Sequence, residues 1–300
     1  MPPQACDRSG LRRVREAAIG ESTLTVPLAM KLLSLLVVAA SSLVACASST
    51  TSPTAIDSDE LVSSKSPAPG EKIIGTNDLT PVKQDGANIP AKYAALIDAF
   101  GVLSVGCTAT HLGNGIVISA GHCFGATATR KNDVPCTGKT VKWGARVDKA
   151  SYLTSKCETV LAMEQSNDRD YSIFKVSPAP TAAVAIDASA RPALNTVVTI
   201  FSHPQLRPLE WSKTCPLLDA SAGGWGADQF THQCDTEGGS SGASILSDAT
   251  LKVVGIHDGG LTPWNYGTYL SDTPIKEFVA IAADPVEPTD PVEPTDPVQN

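Results

Sequence analysis

Apolar residues fall in short runs through the middle of this chain, separated by glycine, proline and asparagine. Asn114-Gly115 is a hairpin-turn pair, and Ile116–Ser119 after it predicts a strand. The short run Tyr171–Val176 and the segments Val197–Phe201, Leu251–Ile256 and Gly267–Leu270 predict further strands. One segment has a helical period instead. After Thr273-Pro274, which suits a cap and first turn, Ile275, Phe278, Val279 and Ile281 share one face up to about Ala283. Many short strands with turn residues between them, and one terminal helix, predict an all-β domain.

Both ends of the chain depart from this pattern. Residues 1–29 show no convincing period, and Met30 is a possible true start. Met30-Lys31 precedes an apolar stretch from Leu32 to Ala45, shorter than the roughly 20 residues that span a bilayer. A charge, a short apolar run and small residues make a secretion signal. Its end, Leu43-Val44-Ala45-Cys46, resembles the bacterial lipoprotein signal, which implies lipidation at Cys46. Residues 47–72 are rich in Ser, Thr, Pro and Ala, and are expected to be a disordered tether or propeptide. From Asp284 to Asn300 the chain repeats Asp-Pro-Val-Glu-Pro-Thr, an acidic proline-rich tail whose repeated prolines and acids forbid a core, with no evident chemistry.

The chain has 300 residues, 42% apolar and 18% charged, enough for a substantial core in one or two units. Its net charge of −8 gives no electrostatic footprint for nucleic acid.

Three places carry candidate chemistry. Cys234-Asp235-Thr236-Glu237-Gly238-Gly239-Ser240-Ser241-Gly242-Ala243-Ser244 is, taken alone, either a Gly/Ser surface turn or the tight turn of a nucleophilic serine. A serine nucleophile needs backbone N–H groups aimed at the developing oxyanion, and a histidine to take its proton. Ile118-Ser119-Ala120-Gly121-His122-Cys123 closes one strand. Asp170 opens another, with Asp168 as a nearby competitor expected to be solvated. His111, His203 and His232 have no such context and are expected to be ordinary core or surface histidines.

The order His122, Asp170, Ser241 and the motifs around them resemble the chymotrypsin-like (trypsin-like) serine proteases. Ile74-Gly75-Thr76-Asn77-Asp78, Ser119–Cys123, Asp235–Gly242 and Gly255-Ile256-His257 bring the chain nearest to the bacterial V8-like, glutamyl endopeptidase branch. The resemblance implies two six-stranded antiparallel β-barrels with the C-terminal helix, and an active site in the cleft between barrels. It implies His122, Asp170 and Ser241 as catalytic residues, and the N–H groups of Gly239 and Ser241 as the oxyanion hole. The protease domain would span 73–283, with a first barrel of about 73–177 and a second of about 178–283, Pro178-Ala179-Pro180 marking the link. Residues 1–46 would be extension and signal, and 47–72 the tether.

The same resemblance assigns the substrate pocket to Asp235, Thr236, His257, Gly260 and Gly267. Asp235 stands six before Ser241, where trypsins keep the acid that selects Arg or Lys. Thr236 and His257 stand where relatives bind a substrate glutamate. Acidic, basic and other preferences therefore all stay open. Lys72-Ile73 resembles a zymogen activation junction, but Ser240 replaces the acid that such a switch needs. The cysteine spacing matches a Cys107–Cys123 disulfide at the histidine loop, and proximity suggests Cys136–Cys157 and Cys215–Cys234. No metal or cofactor is implied. The expected partners are polypeptide substrates, with no nucleic acid, and a membrane only through Cys46. The expected protein is a monomer, exported to the bacterial cell envelope as a lipoprotein, or secreted. The competing function is a catalytically silent binding or adhesin lipoprotein on the same fold.

Overall fold

A computed structural model describes residues 72–219, 226–261 and 263–279. The signal, Cys46, the tether before Lys72, the acidic tail and residues 280–283 of the expected helix lie outside the described residues.

The strands are β1 (Thr80–Pro81), β2 (Phe100–Leu103), β3 (Cys107–Gly113), β4 (Ile116–Ser119), β5 (Lys131–Val134), β6 (Thr140–Trp143) and β7 (Leu153–Gln165), then β8 (Asp170–Ser177), β9 (Val197–Ser202), β10 (Glu210–Leu218), β11 (Gln229–His232), β12 (Ser244–Ser247), β13 (Val253–Leu261) and β14 (Trp264–Tyr269). Every strand pairing between them is antiparallel. In the first barrel, the ladder β7-β6-β2-β3-β4-β8 closes when β8 returns to β7, with β5 added outside on β7. In the second, β9-β10-β11-β14-β13-β12 closes when β12 returns to β9, with β1 added on β10. Two closed six-stranded barrels result, as expected. Closure leaves few free strand edges.

The Asn114-Gly115 pair turns β3 into β4 with positive φ at both residues, 53° and 75°, as such a two-residue turn demands. Each barrel is filled by the inward side chains of its own strands. Trp143, Phe174, Val117 and Val160 fill the first, and Phe230, Ile200, Ile245 and Leu217 the second. Burying each such side chain contributes about 1.5–3 kcal/mol. A third cluster lies between the barrels, where Phe100 of the first stacks on Phe201 of the second at 5.3 Å. Its burial fixes one barrel against the other, and so sets the distance between groups carried on different barrels.

Two expectations change. The segment from residue 73, expected to open the first barrel, reaches the second instead: Thr80 and Pro81 pair with Trp211 and Glu210. The terminal helix appears, over the described residues, as one 3-10 turn, Pro274–Glu277. Thr273 caps it by accepting the Ile275 N–H, and Ile275 is buried in the inter-barrel cluster. An Ile275–Phe278 spacing of three suits a 3-10 turn as well as an α-helix, so the apolar period could not separate them.

Candidate functional site

His122 follows β4 and begins a 3-10 turn, His122–Phe124, closed by Gly125 in the left-handed region. Cys123, next to it, is bonded to Cys107 at the start of β3. Asp170 opens β8, and its carboxylate grips His122 twice. Oδ1 accepts the His122 main-chain N–H at 2.9 Å, and Oδ2 lies 2.6 Å from ring Nδ1. With Nδ1 held there, Nε2 is on the opposite edge of the ring. The Asp170 N–H donates to Thr268 Oγ1 at 2.8 Å, which anchors the carboxylate to β14 of the second barrel. Asp168 is exposed, and its side chain instead accepts the Ala227 N–H.

Ser241 lies in the turn between β11 and β12 and is 4% exposed. The turn is built from its own backbone: Ser240 N–H donates to Glu237 O, and Ala243 N–H to Ser240 O, both at 2.9 Å. Gly242 N–H donates to His257 O at 2.8 Å. Gly239 has φ of +100°, and a Cβ there would come 2.7 Å from the His203 carbonyl oxygen. Only glycine fits both constraints. The Gly238 carbonyl accepts the Gln205 N–H. In a trans peptide the N–H points opposite to the carbonyl, so the Gly239 N–H faces away from Gln205. Ser240 is turned inward and fully buried, with Oγ 3.0 Å from Ser202 Oγ.

Thr108 joins the histidine and serine loops. Its N–H donates to Ser241 O at 2.9 Å, and its hydroxyl donates to Gly239 O at 2.8 Å while accepting the His203 N–H at 3.0 Å. Its neighbour Cys107 carries the disulfide to the His122 loop. Nothing in the pattern of the sequence marked Thr108, because its role lies in contacts more than 90 residues away.

The five expected pocket residues have different surroundings. Asp235 is buried and satisfied by main chain: Oδ1 accepts the Ile74 N–H at 2.7 Å, and Oδ2 the Asp78 N–H at 2.6 Å. Thr236 is fully buried, and its hydroxyl has no partner among the described residues. His257, also fully buried, has Nδ1 3.2 Å from His232 Nε2. Burial first, then the neighbouring His232 and His122, hold His257 well below the usual imidazole range, and burial brings His232 down to about 3. Both rings are therefore neutral near pH 7. Gly267 of β14 stands opposite His257, and Gly260 opposite Asn265. A cavity of about 510 Å³ opens elsewhere, beside Asp170, Gln165, Asn167, Gln229 and Tyr266.

The Lys72-Ile73 junction is threaded onto the second barrel. Lys72 N–H donates to Asn265 Oδ1 at 3.0 Å, and Lys72 O accepts from Asn265 Nδ2 at 2.8 Å and from Thr236 N–H at 3.2 Å. Asn265 was not singled out by the sequence, although a lone amide in a strand beside aromatic residues is a signal that could have marked it.

Asp258 also escaped notice. It is 4% exposed and directly follows His257. The expected strand stopped at Ile256, whereas pairing with β14 carries β13 on through Leu261. A carboxylate inside such a run is a sign of a special environment.

Cys136–Cys157 and Cys215–Cys234 are bonded, like Cys107–Cys123. Two groupings of cysteine with histidine, around His122 and around His232, are close enough to suggest metal ligands, but their cysteines are spent in these disulfides.

No curated protein sequence matches the chain significantly. Among solved structures, a Glu endopeptidase in complex with MPD superposes with a TM-score of 0.51 at 16% identity, covering 67% of this chain and 94% of that one. The VesB protease of Vibrio cholerae gives a TM-score of 0.48 at 16% identity, covering 67% of this chain and 65% of that one. At this identity the Glu endopeptidase speaks for the fold. The model of the trypsin-like peptidase domain matches residues 107–256, the half of the sequence that holds His122, Asp170 and Ser241, and the chain belongs to that family.

Proposed function

We propose that this protein is a serine endopeptidase that cleaves polypeptides through Ser241, His122 and Asp170. The observation carrying this reading is the two-point grip of Asp170 on His122, at 2.9 and 2.6 Å. A carboxylate that accepts the Nδ1–H fixes the tautomer with its basic lone pair on Nε2. His122 then takes the Ser241 hydroxyl proton as Oγ attacks the scissile carbonyl. The N–H groups of Gly239 and Ser241 receive the developing oxyanion. Collapse expels the amine, which takes the proton back from His122, and water releases the acyl group by the same path. A fluorophosphonate probe tests the reading: the wild-type chain is labelled, and Ser241→Ala is not. Labelling that survives Ser241→Ala removes Ser241 as nucleophile. No labelling and no cleavage by the wild type would leave the silent binding protein.

For the substrate we favour an acidic residue on the acyl side of the cut. Asp235 already has both carboxylate oxygens on main-chain N–H groups of the 74–78 segment, which leaves it poorly placed to receive a basic side chain. Thr236 offers a hydroxyl that has no partner among the described residues, and neutral His257 can donate an N–H. Uncharged donors suit a carboxylate at modest desolvation cost. The Glu endopeptidase similar in fold carries that preference in its name. Sequencing the cuts in a peptide library decides: cleavage after Arg or Lys and none after Glu or Asp refutes it.

Three disulfides in the described residues fit export to an oxidising compartment. We extend this to a lipid anchor at Cys46. Fatty-acid labelling that persists in Cys46→Ser would refute that anchor.

A further inference from the structure

Behind the catalytic aspartate lies a second buried carboxyl group that the acyl-transfer steps do not use. Asp258 Oδ2 accepts from Thr268 Oγ1 at 2.7 Å and from Gln229 Nε2 at 3.3 Å. Thr268 Oγ1 in turn accepts the Asp170 N–H at 2.8 Å. The hydroxyl thus receives one hydrogen bond from β8 and passes one to β13, joining Asp258 to the start of the strand that carries the triad carboxylate. Asp258 Oδ1 has no partner among the described residues. No ion pair to Asp258 occurs there either; the salt bridges nearest in sequence involve Asp272 and Asp248.

We infer that Asp258 is a positioning residue of the triad, holding the Asp170 main chain through the Thr268 hydroxyl as an un-ionised carboxylic acid. This rests on the serine-peptidase reading above. The charge state follows from the surroundings. β8 presents Asp170 to Asp258; β13 and β11 also carry His257 and His232, which neighbour each other, and His122 acts on His257. The two buried histidines are neutral, and Asp170 is needed as an anion by His122. A second buried anion would have one oxygen unsatisfied and a like charge facing it, a costly arrangement. Burial and then the Asp170 charge hold the Asp258 carboxyl well above the usual carboxylate range, against the opposing hydrogen bonds of Thr268 and Gln229. Neutral Asp258 leaves Asp170 as the single negative charge beneath the imidazole. Its geometry is supplied by the Thr268 link without a second charge that would alter the basicity of His122.

Kinetics of the full chain over pH 5–9, with fluorophosphonate labelling alongside, test this. Asp258→Ala and Thr268→Val each break the link and should lower kcat about tenfold or more, with KM within about twofold. Asp258→Asn keeps an acceptor for Thr268 without any charge. It should recover kcat to within about threefold of wild type, with the acid limb of the pH profile in place. An Asp258→Asn acid limb displaced downward by about half a pH unit or more would mean that the native group is ionised, and would overturn the proposal. Wild-type kcat in Thr268→Val, or equal losses in Asp258→Ala and Asp258→Asn, would also overturn it. Should Asp258→Ala fail to fold, Asp258→Asn and Thr268→Val carry the test by themselves. A wild-type chain that neither labels nor cleaves would fail differently, taking down the serine-peptidase reading and this proposal with it.

Discussion

Replacing Thr108 by valine keeps the shape of the side chain and deletes its hydroxyl. Two interior groups then lose a partner: the Gly239 carbonyl, 2.8 Å from that hydroxyl, and the His203 N–H, 3.0 Å from it. Each buried unpaired group costs about 1–3 kcal/mol, so the variant should lose about 3 kcal/mol. For a domain of this size that is a fall in Tm of about 6–12 °C. Turnover should fall as well. The Gly239 carbonyl fixes the peptide entering Ser240, within the turn that would aim the oxyanion donors on the proposed serine-peptidase reading. Loss of one whole donor costs about 10²–10³ in kcat. Here Gln205 still holds the Gly238 carbonyl, so we expect about tenfold, with KM little changed. Thr108→Ser keeps the hydroxyl and should recover most of both losses. Differential scanning fluorimetry and the rate of fluorophosphonate labelling measure the two effects. A Thr108→Val protein that melts within about 2 °C of wild type and labels as fast would refute the argument.

Asp235→Asn removes one strong acceptor from the Ile74 and Asp78 N–H groups, and should destabilise by about 1–3 kcal/mol in thermal melts without changing the residue preferred before the cut. A lost preference for one P1 class would instead make Asp235 a recognition group. Gly239→Ala forces a Cβ to within 2.7 Å of the His203 carbonyl at a φ of +100°. Its kcat should fall about 100-fold or more, and steady-state kinetics near the wild-type value would contradict that. Fully buried His203, held down to about 4 chiefly by burial, refuses a proton that the unfolded chain takes up below pH 6.5. Its stabilising contribution is complete above pH 6.5 and is lost as pH falls towards 4, at about 1.4 kcal/mol per unit. Between pH 7 and pH 5, Tm should therefore drop less in His203→Gln than in wild type, and parallel drops would exclude this linkage. Asp258, raised by burial, has the opposite sign: its contribution is present below the usual carboxylate range and is lost as pH rises through its folded value.

Some of the site was legible because its chemistry is local. Ser119-Ala120-Gly121-His122-Cys123 lies on a strand, its exit and a short turn. Gly238-Gly239-Ser240-Ser241-Gly242 needs left-handed φ at Gly239 and Gly242, which the glycines permit. Asp170 was distinguishable from Asp168 because it abuts the apolar alternation of β8. Thr108, Asp258 and Asn265 were not legible, since each acts through partners on other strands and no period along the chain points to them. Asp235 has partners that its spacing did not indicate. Its distance from Ser241 suggested a recognition acid, and its carboxylate accepts N–H groups from residues 157 and 161 positions away.

Several of the short strands, the turn at Asn114-Gly115 and the types of residue at the candidate site were determined by the sequence alone, because steric preference and apolar alternation act within a few residues. Barrel closure, the docking of residues 72–81 on the second barrel and the 3-10 form of Pro274–Glu277 were decided by tertiary structure. These depend on which buried surfaces and unpaired main-chain groups meet across the fold, and that balance is struck only when distant strands pack together.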